Sequence, residues 1–467
     1  MNCPACGYPH LRPQGQDPVG NQIFSCPACG ETCMAVAEDL EEEAPANSQL
    51  ERRMRFQPAF PQIRWPAFSR FSGGAFLRAL FLILGCMALT TALSYYAAGG
   101  FRTYYSPVFH LQAQAMLRGQ TALEVPPEWT IDLISFHGQH FLAIPPLNAF
   151  LVLPFVALLG VDFPETLFAL ILYALNLIVL YWTVATVAND RDTLQRSLLF
   201  CFLALGTTLF TCAVISSPSF NAVLGSCLFL SAAWLTLYQA QTLPHHLLAI
   251  LLLAIAATGR WHLALLLPVF ILWAWMQPVP RRWAVLAILA VPMGLFLAFV
   301  GWWNWARFGN PFQLRYEEHA YGAFFAEEIR KYGFRNLRYI LPHLYHGVLA
   351  IPRLVPDFPF FVYDDRGNGV LALSPLFAYT LVKRPWDSWD RLAWLCMAIV
   401  AIPVFTHFST GWVQFDYRYF LDFFPFAVFL LLRSSVNPIR WLPLALIALS
   451  FWFHGFGVLK LIKGWGM

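Results

Sequence analysis

The sequence predicts an all-α polytopic membrane protein of about eleven transmembrane helices, preceded by a small N-terminal zinc ribbon. Three observations lead there. The 467-residue chain is 58% hydrophobic and only 12% charged, against about 25% charged residues in soluble domains. Its mean hydropathy is +0.55, and many apolar runs exceed the roughly 18 residues that suggest a membrane helix. Two Cys-x-x-Cys pairs stand in the polar N-terminus.

The ribbon comes first. Residues 1–33 contain Cys3-Pro4-Ala5-Cys6-Gly7 and Cys26-Pro27-Ala28-Cys29-Gly30, with nineteen residues between the pairs. That spacing suits a four-cysteine zinc site. Two residues between cysteines let a tight turn aim both sulfurs at one tetrahedral ion, and the following glycine tolerates the backbone such a knuckle needs. So small a segment has almost no core, so zinc would supply most of its folding free energy, on the order of 10–16 kcal/mol. Four thiolates leave no open position, which favours a structural ion. Cys33 reads as a spare thiol or, alternatively, as a substitute ligand. Thiolates need a reducing compartment, which places the N-terminus in the cytoplasm, where the ribbon could bind a protein partner.

The ten cysteines divide evenly between this segment and apolar runs (Cys86, Cys201, Cys212, Cys227, Cys396). No disulfide framework is indicated. The first seventy residues are polar and the first apolar run begins near Phe76, so no cleavable signal peptide is expected.

Residues 34–75 form a linker, acidic from Glu38 to Glu43 and then basic through Arg52, Arg53, Arg55, Arg64 and Arg70. These arginines orient the first membrane helix, near 76–97, from inside to outside. The transmembrane region is 76–467. Residues 98–140 therefore form an outer loop. Further crossings are expected near 141–159, 164–188, 197–214, 219–238, 246–276, 283–303, 370–382, 392–408, 418–432 and 441–459. The 246–276 stretch is interrupted at Thr258-Gly259-Arg260. Counting it once keeps Arg281-Arg282, Lys383-Arg384 and the Arg433–Arg440 segment inside. A second outer loop, 304–369, is aromatic and charged enough to hold interfacial helices. The net charge of +4 is spread between hydrophobic segments and forms no continuous stripe, so no nucleic-acid partner is expected. The lipid bilayer is the certain partner.

Polar groups confined to outer loops suit a substrate that arrives partly in lipid. Ile131-Asp132-Leu133-Ile134-Ser135-Phe136-His137-Gly138-Gln139-His140 carries a carboxylate and two histidines where the chain re-enters the membrane. Holding charge near hydrocarbon is costly, so such a cluster is a candidate site. Asp132 could take a proton from an acceptor hydroxyl, or simply cap a helix. His137 and His140 could orient a substrate or bind metal, or be ordinary interfacial histidines. Arg102 and Arg118 could hold a phosphate, or be solvated. Arg260, mid-membrane, reads equally as an anion ligand and as half of a buried pair. Arg418 beside Asp416 reads as a salt bridge or as a phosphate contact. Whether a divalent cation is needed stays open.

At Gly138-Gln139-His140-Phe141-Leu142-Ala143-Ile144-Pro145-Pro146-Leu147, and again at Leu153-Pro154-Phe155, the chain resembles multispanning GT-C-type glycosyltransferases. These include the protein O-mannosyltransferase and aminoarabinose-transferase relatives and many bacterial membrane proteins. The likeness continues through Ala115-Met116-Leu117-Arg118-Gly119, Gly309-Asn310-Pro311-Phe312, Leu373-Ser374-Pro375-Leu376 and Tyr417-Arg418-Tyr419-Phe420-Leu421-Asp422. The resemblance implies an inverting transferase that takes a sugar from a polyprenyl-phosphate donor to an extracytoplasmic acceptor, in a bacterial plasma membrane. It also implies an essential carboxylate in the first outer loop, with Asp132 as general base. The better-known members carry an acid directly after the first membrane helix, where this chain reads Gly99-Gly100-Phe101-Arg102, and its first carboxylate beyond is Glu124. Ile144 stands where some relatives have a lysine before the paired prolines. Two other functions fit the same bundle: a transporter of lipid-linked sugars, and a membrane scaffold whose ribbon recruits a partner.

Overall fold

A computed structural model describes residues 12–16, 22–25, 32–35, 73–103, 107–124, 132–277, 282–316, 319, 323–382, 386–411 and 413–463. The chain divides into two units, Met1–Pro66 and Ala67–Met467.

In the first unit, β1 (Arg12–Gln16), β2 (Gln22–Ser25) and β3 (Thr32–Ala35) form an antiparallel sheet in that order. Arg12 pairs with Ser25 and Gln22 with Ala35. The expected zinc ligands Cys3, Cys6, Cys26 and Cys29 lie outside the described residues.

The second unit is helical. In chain order it holds α1 (Gly73–Ala98), α2 (Val108–Leu117), the hairpin β4 (Leu133–Phe136) and β5 (Gln139–Leu142), α3 (Leu147–Leu159) and α4 (Glu165–Val187). Then come α5 (Thr193–Leu205), α6 (Thr208–Ile215), α7 (Pro218–Gln239), α8 (Leu243–Ala257), a 3-10 segment Trp261–Leu266, α9 (Leu267–Met276) and α10 (Arg282–Phe308). The following connector carries α11 (Ala323–Tyr332), α12 (Ile340–Leu344) running on as a wide turn to Leu349, and three short strands. These are β6 (Arg353–Leu354), β7 (Phe361–Val362) and β8 (Arg366–Asn368). The chain closes with α13 (Val370–Leu373), a 3-10 segment Pro375–Leu381, α14 (Ser388–Phe405), β9 (Gln414–Asp416), a 3-10 segment Arg418–Asp422, α15 (Phe424–Leu432) and α16 (Trp441–Lys463).

Six of these helices (α1, α4, α7, α10, α14 and α16) are long and apolar enough to cross a bilayer. The pair α5–α6, bent by 43°, makes a seventh if taken as one span. This is a multi-pass membrane protein. Helix α7 lies at the centre: 72% of its apolar window is buried, against 11% for α1, whose surface is left to lipid.

Local sequence explains the boundaries. The Asp192 side chain accepts from the Gln195 amide and starts α5, and Asp387 and Asp390 form a reciprocal cap at the start of α14. Pro218 occupies the first turn of α7, where its missing N–H costs nothing. The expected crossings 370–382 and 418–432 consist of short elements, because Ser374, Pro375 and Pro425 divide them. The expected 246–276 crossing is broken where its sequence is, at Thr258-Gly259-Arg260. Packing explains that break. A Cβ on Gly259 would sit 2.3 Å from Ser226 Oγ of α7 and 2.8 Å from Leu147 Cδ2 of α3. The Leu147 amide donates to the Thr258 carbonyl there (3.3 Å).

Candidate functional site

The β4–β5 hairpin sets the geometry of the first outer segment. His137 (φ 49°) and Gly138 (φ 74°) form its two-residue turn, between the paired Phe136 and Gln139. Positive φ at both central positions matches the twist of the flanking strands, and His-Gly supplies it. His137 and His140 therefore do not share a helical face. His140 lies on β5, its Nδ1 3.1 Å from Ser135 Oγ, while its carbonyl accepts from Leu123 (2.7 Å). Neither histidine belongs to a metal-ligating group: among the described residues no three His, Cys, Asp or Glu side chains could hold an ion.

Asp132 stands at the foot of this hairpin, not at a helix start. Its backbone is left-handed (φ 62°), which Asp tolerates, and its carbonyl accepts from the Ala143 amide (2.9 Å). Its side chain is 42% exposed, with Oδ1 3.6 Å from Nε2 of the mostly buried His319. His319 in turn bridges Ile134 of β4. Arg118 pairs with exposed Glu124 (2.8 Å), not with Asp132. Arg102 sits past the end of α1, its amide donating to Thr166 Oγ1 near the start of α4 (3.1 Å).

The inner edge of the hairpin is clasped from the second connector. Arg307, buried at the end of α10, donates to the Leu142 carbonyl (2.9 Å), its guanidinium lying 4.5 Å from the Phe308 ring centre. Tyr316 Oη reaches the Ala143 carbonyl (3.5 Å). Burial raises the pKa of the Tyr316 hydroxyl, and Arg307, Arg260 and Arg335 pull against it. One phenol thus stands in the field of three guanidinium groups.

Arg260 is the centre of the deeper cluster. Its Nε and one terminal nitrogen fork onto Asp422 at 3.3 and 2.7 Å, and His262 Nε2 lies 3.0 Å from the same carboxylate. Asp422 is 1% exposed and Arg260 19%. The Arg260 guanidinium also covers the Tyr419 ring at 4.9 Å. Of the two roles open for Arg260, the structure shows the buried pair. Beside this cluster His343 Nδ1 meets Tyr417 Oη (2.6 Å) and its Nε2 meets the His407 carbonyl (2.9 Å). Burial lowers the pKa of His343 to about 4, so the ring is neutral at pH 7.

Of the two readings for Arg418 beside Asp416, the salt bridge does not form. Asp416 ends β9 and Arg418 opens the 3-10 segment, so the chain leaves the strand between them. Arg418 donates to Gln414 Oε1 (3.2 Å) and lies over Phe220 and Tyr419. Asp416 is buried 3.5 Å from His454 Nδ1, and His454 also contacts Thr211 Oγ1 (2.8 Å) and Ser374 Oγ (3.1 Å). Burial raises the Asp416 pKa to about 7, against the hydroxyls of Thr211 and Thr208.

The sequence signal therefore found Arg260 but not its partner. Asp422 lies in Tyr419-Phe420-Leu421-Asp422-Phe423-Phe424, and a carboxylate in so apolar a run needs a buried cation. His262, His319, Arg307, Tyr316 and Arg335 had no local signal. They gather only because the second connector folds over the hairpin and the α8 break. Protein-family models, curated proteins and solved structures were all compared with the chain, and none matches it.

Proposed function

We propose that this protein is an inverting membrane glycosyltransferase that moves a sugar from a polyprenyl-phosphate donor to an acceptor on the outer side. One observation carries the reading. Asp132 is a partly exposed carboxylate beside a buried histidine, on the hairpin that Arg307 and Tyr316 join to the Arg260 cluster. The transfer requires a base that reaches the acceptor hydroxyl and cations for the leaving phosphate; the hairpin carries the first, and Arg307 clasps its edge.

In this scheme the acceptor oxygen attacks the anomeric carbon and its proton passes to Asp132. The bond from that carbon to the phosphate oxygen breaks, and its electron pair leaves with the polyprenyl phosphate. Arg260, held in place by Asp422, would supply a cation for the developing charge. Arg102, Arg118, His137, His140 and Arg418 are assigned to the rim, where they would guide the donor and acceptor. The topology that goes with this reading has about eleven crossings and a cytoplasmic N-terminus. It also has a zinc ribbon on Cys3, Cys6, Cys26 and Cys29.

The test uses purified protein in lipid, a radiolabelled polyprenyl-phosphate sugar and candidate acceptors. Asp132→Asn should lower turnover by about 10²–10⁴-fold and leave the melting temperature unchanged. Undiminished turnover in that variant ends the base assignment. Lipid-linked sugar crossing the bilayer without transfer would favour the transporter.

A further inference from the structure

The connector between α11 and β7 is inside out for a segment in water. Along 337–349 the apolar side chains Leu337, Leu341, Leu344, Tyr345 and Leu349 face outward, Leu337 at 75% and Leu341 at 74% exposure. Tyr339, His343 and His346 are buried on the other side. There His343 is bonded to Tyr417 and His407, and His346 Nδ1 lies 3.2 Å from the Gly367 carbonyl. A helix bathed in water buries its leucines and exposes its histidines. This one does the reverse. Its single formal charge, Arg338, leaves the leucine side to reach Glu328 (3.6 Å) and the Tyr332 ring (3.4 Å).

The outward strip also joins lipid-facing surfaces at both ends. Helix α12 packs beside α14, a candidate span whose Leu395 and Ile402 point outward. Further along, Ile351 and Leu354 are exposed, and Phe358 and Phe360 lie against Trp452 of α16, with Phe358 also 4.9 Å from Phe456. An apolar patch of this extent marks an interaction site, and its continuity with two spans names the occupant.

We infer that residues 337–351 are sunk into one leaflet of the bilayer, with the Leu337–Leu349 face against acyl chains. The segment is a membrane-embedded element in its own right, although no part of it is long enough to span. It places His343 and Tyr417 directly beneath the lipid contact. The inference does not depend on the transferase reading.

Photo-crosslinking in phospholipid nanodiscs tests it. Leu341→p-benzoylphenylalanine and, separately, Leu337→p-benzoylphenylalanine should each gain the mass of one phospholipid on illumination. Leu84→p-benzoylphenylalanine on α1, 56% exposed on a candidate span, sets the reference yield. Both sites are on the surface, so monodisperse protein is expected from both variants. Adducts at half the reference yield or more support the inference. Yields under one tenth of it overturn the inference, as does a cross-link to a second copy of the chain or to another protein.

Discussion

Arg260 and Asp422, 162 positions apart in the chain, meet through two parallel hydrogen bonds with the carboxylate almost fully buried. The pair ties the broken end of α8 to the start of α15, and His262 is a third member. Removing one partner of such a pair leaves an uncompensated buried charge, which costs about 3–5 kcal/mol. Asp422→Ala should therefore lower the unfolding midpoint sharply, and so should Arg260→Ala. The double replacement Arg260→Met with Asp422→Leu should recover most of the loss. Thermal unfolding in detergent reads all three, and strictly additive losses would show that the two residues are not coupled.

Gly259 gives a second expectation, about packing and not charge. Gly259→Ala puts a methyl group 2.3 Å from Ser226 Oγ and 2.8 Å from Leu147 Cδ2. Overpacking of this kind costs about 1–3 kcal/mol. Combining it with Ser226→Gly should return part of the stability, and the same melts measure it. An unchanged midpoint in Gly259→Ala would mean that α7 and α3 do not press on the break.

Asp416 should make stability fall with rising pH. Its folded pKa of about 7 lies above its ordinary value of 3.8, so the folded state keeps a proton that the unfolded chain loses. Stability is full below about pH 4 and declines toward pH 7, by on the order of 4 kcal/mol for this group. His343, lowered to about 4, acts in the opposite sense between pH 4 and 6.5. The comparison must therefore be with Asp416→Asn. Between pH 5 and 8 the wild type should lose more stability than that variant, and parallel curves would contradict the assignment. Arg418, His454, Thr208 and Thr211 surround the carboxylate and stay unchanged in both proteins.

Elemental analysis of purified protein should find one zinc per chain. Cys3→Ser or Cys29→Ser should lose it, because thiolate replacement removes a ligand from a closed four-sulfur site. Removing residues 1–33 should leave the melt of the helical unit in place. A zinc content near zero in freshly purified wild type would remove the ribbon from the account.

The membrane character was legible because apolar runs and basic connectors obey simple length and charge rules. The break at Thr258-Gly259-Arg260 was legible too, since a glycine and an arginine interrupt an otherwise apolar stretch. The hairpin was not. His137 and Gly138 read only as part of an outer loop, and the pairing of Phe136 with Gln139 reveals them as a turn. The partner of Arg260 was hidden for a different reason. Asp422 is far away in sequence, and no local pattern says which buried cation a buried carboxylate will meet. Asp416 and Arg418, two apart, read as a pair, yet the chain leaves β9 between them, and Asp416 meets His454 while Arg418 meets Gln414.

The second connector is sewn to the link between α14 and α15 at several points. The Asn336 amide donates to Thr406, Phe408 to Phe334 and Gln414 to Asp365, while Asn368 pairs with Asp416 across β8 and β9. These two stretches therefore form one hydrogen-bonded layer. Displacing either stretch would mean breaking these backbone bonds or carrying the other along with it.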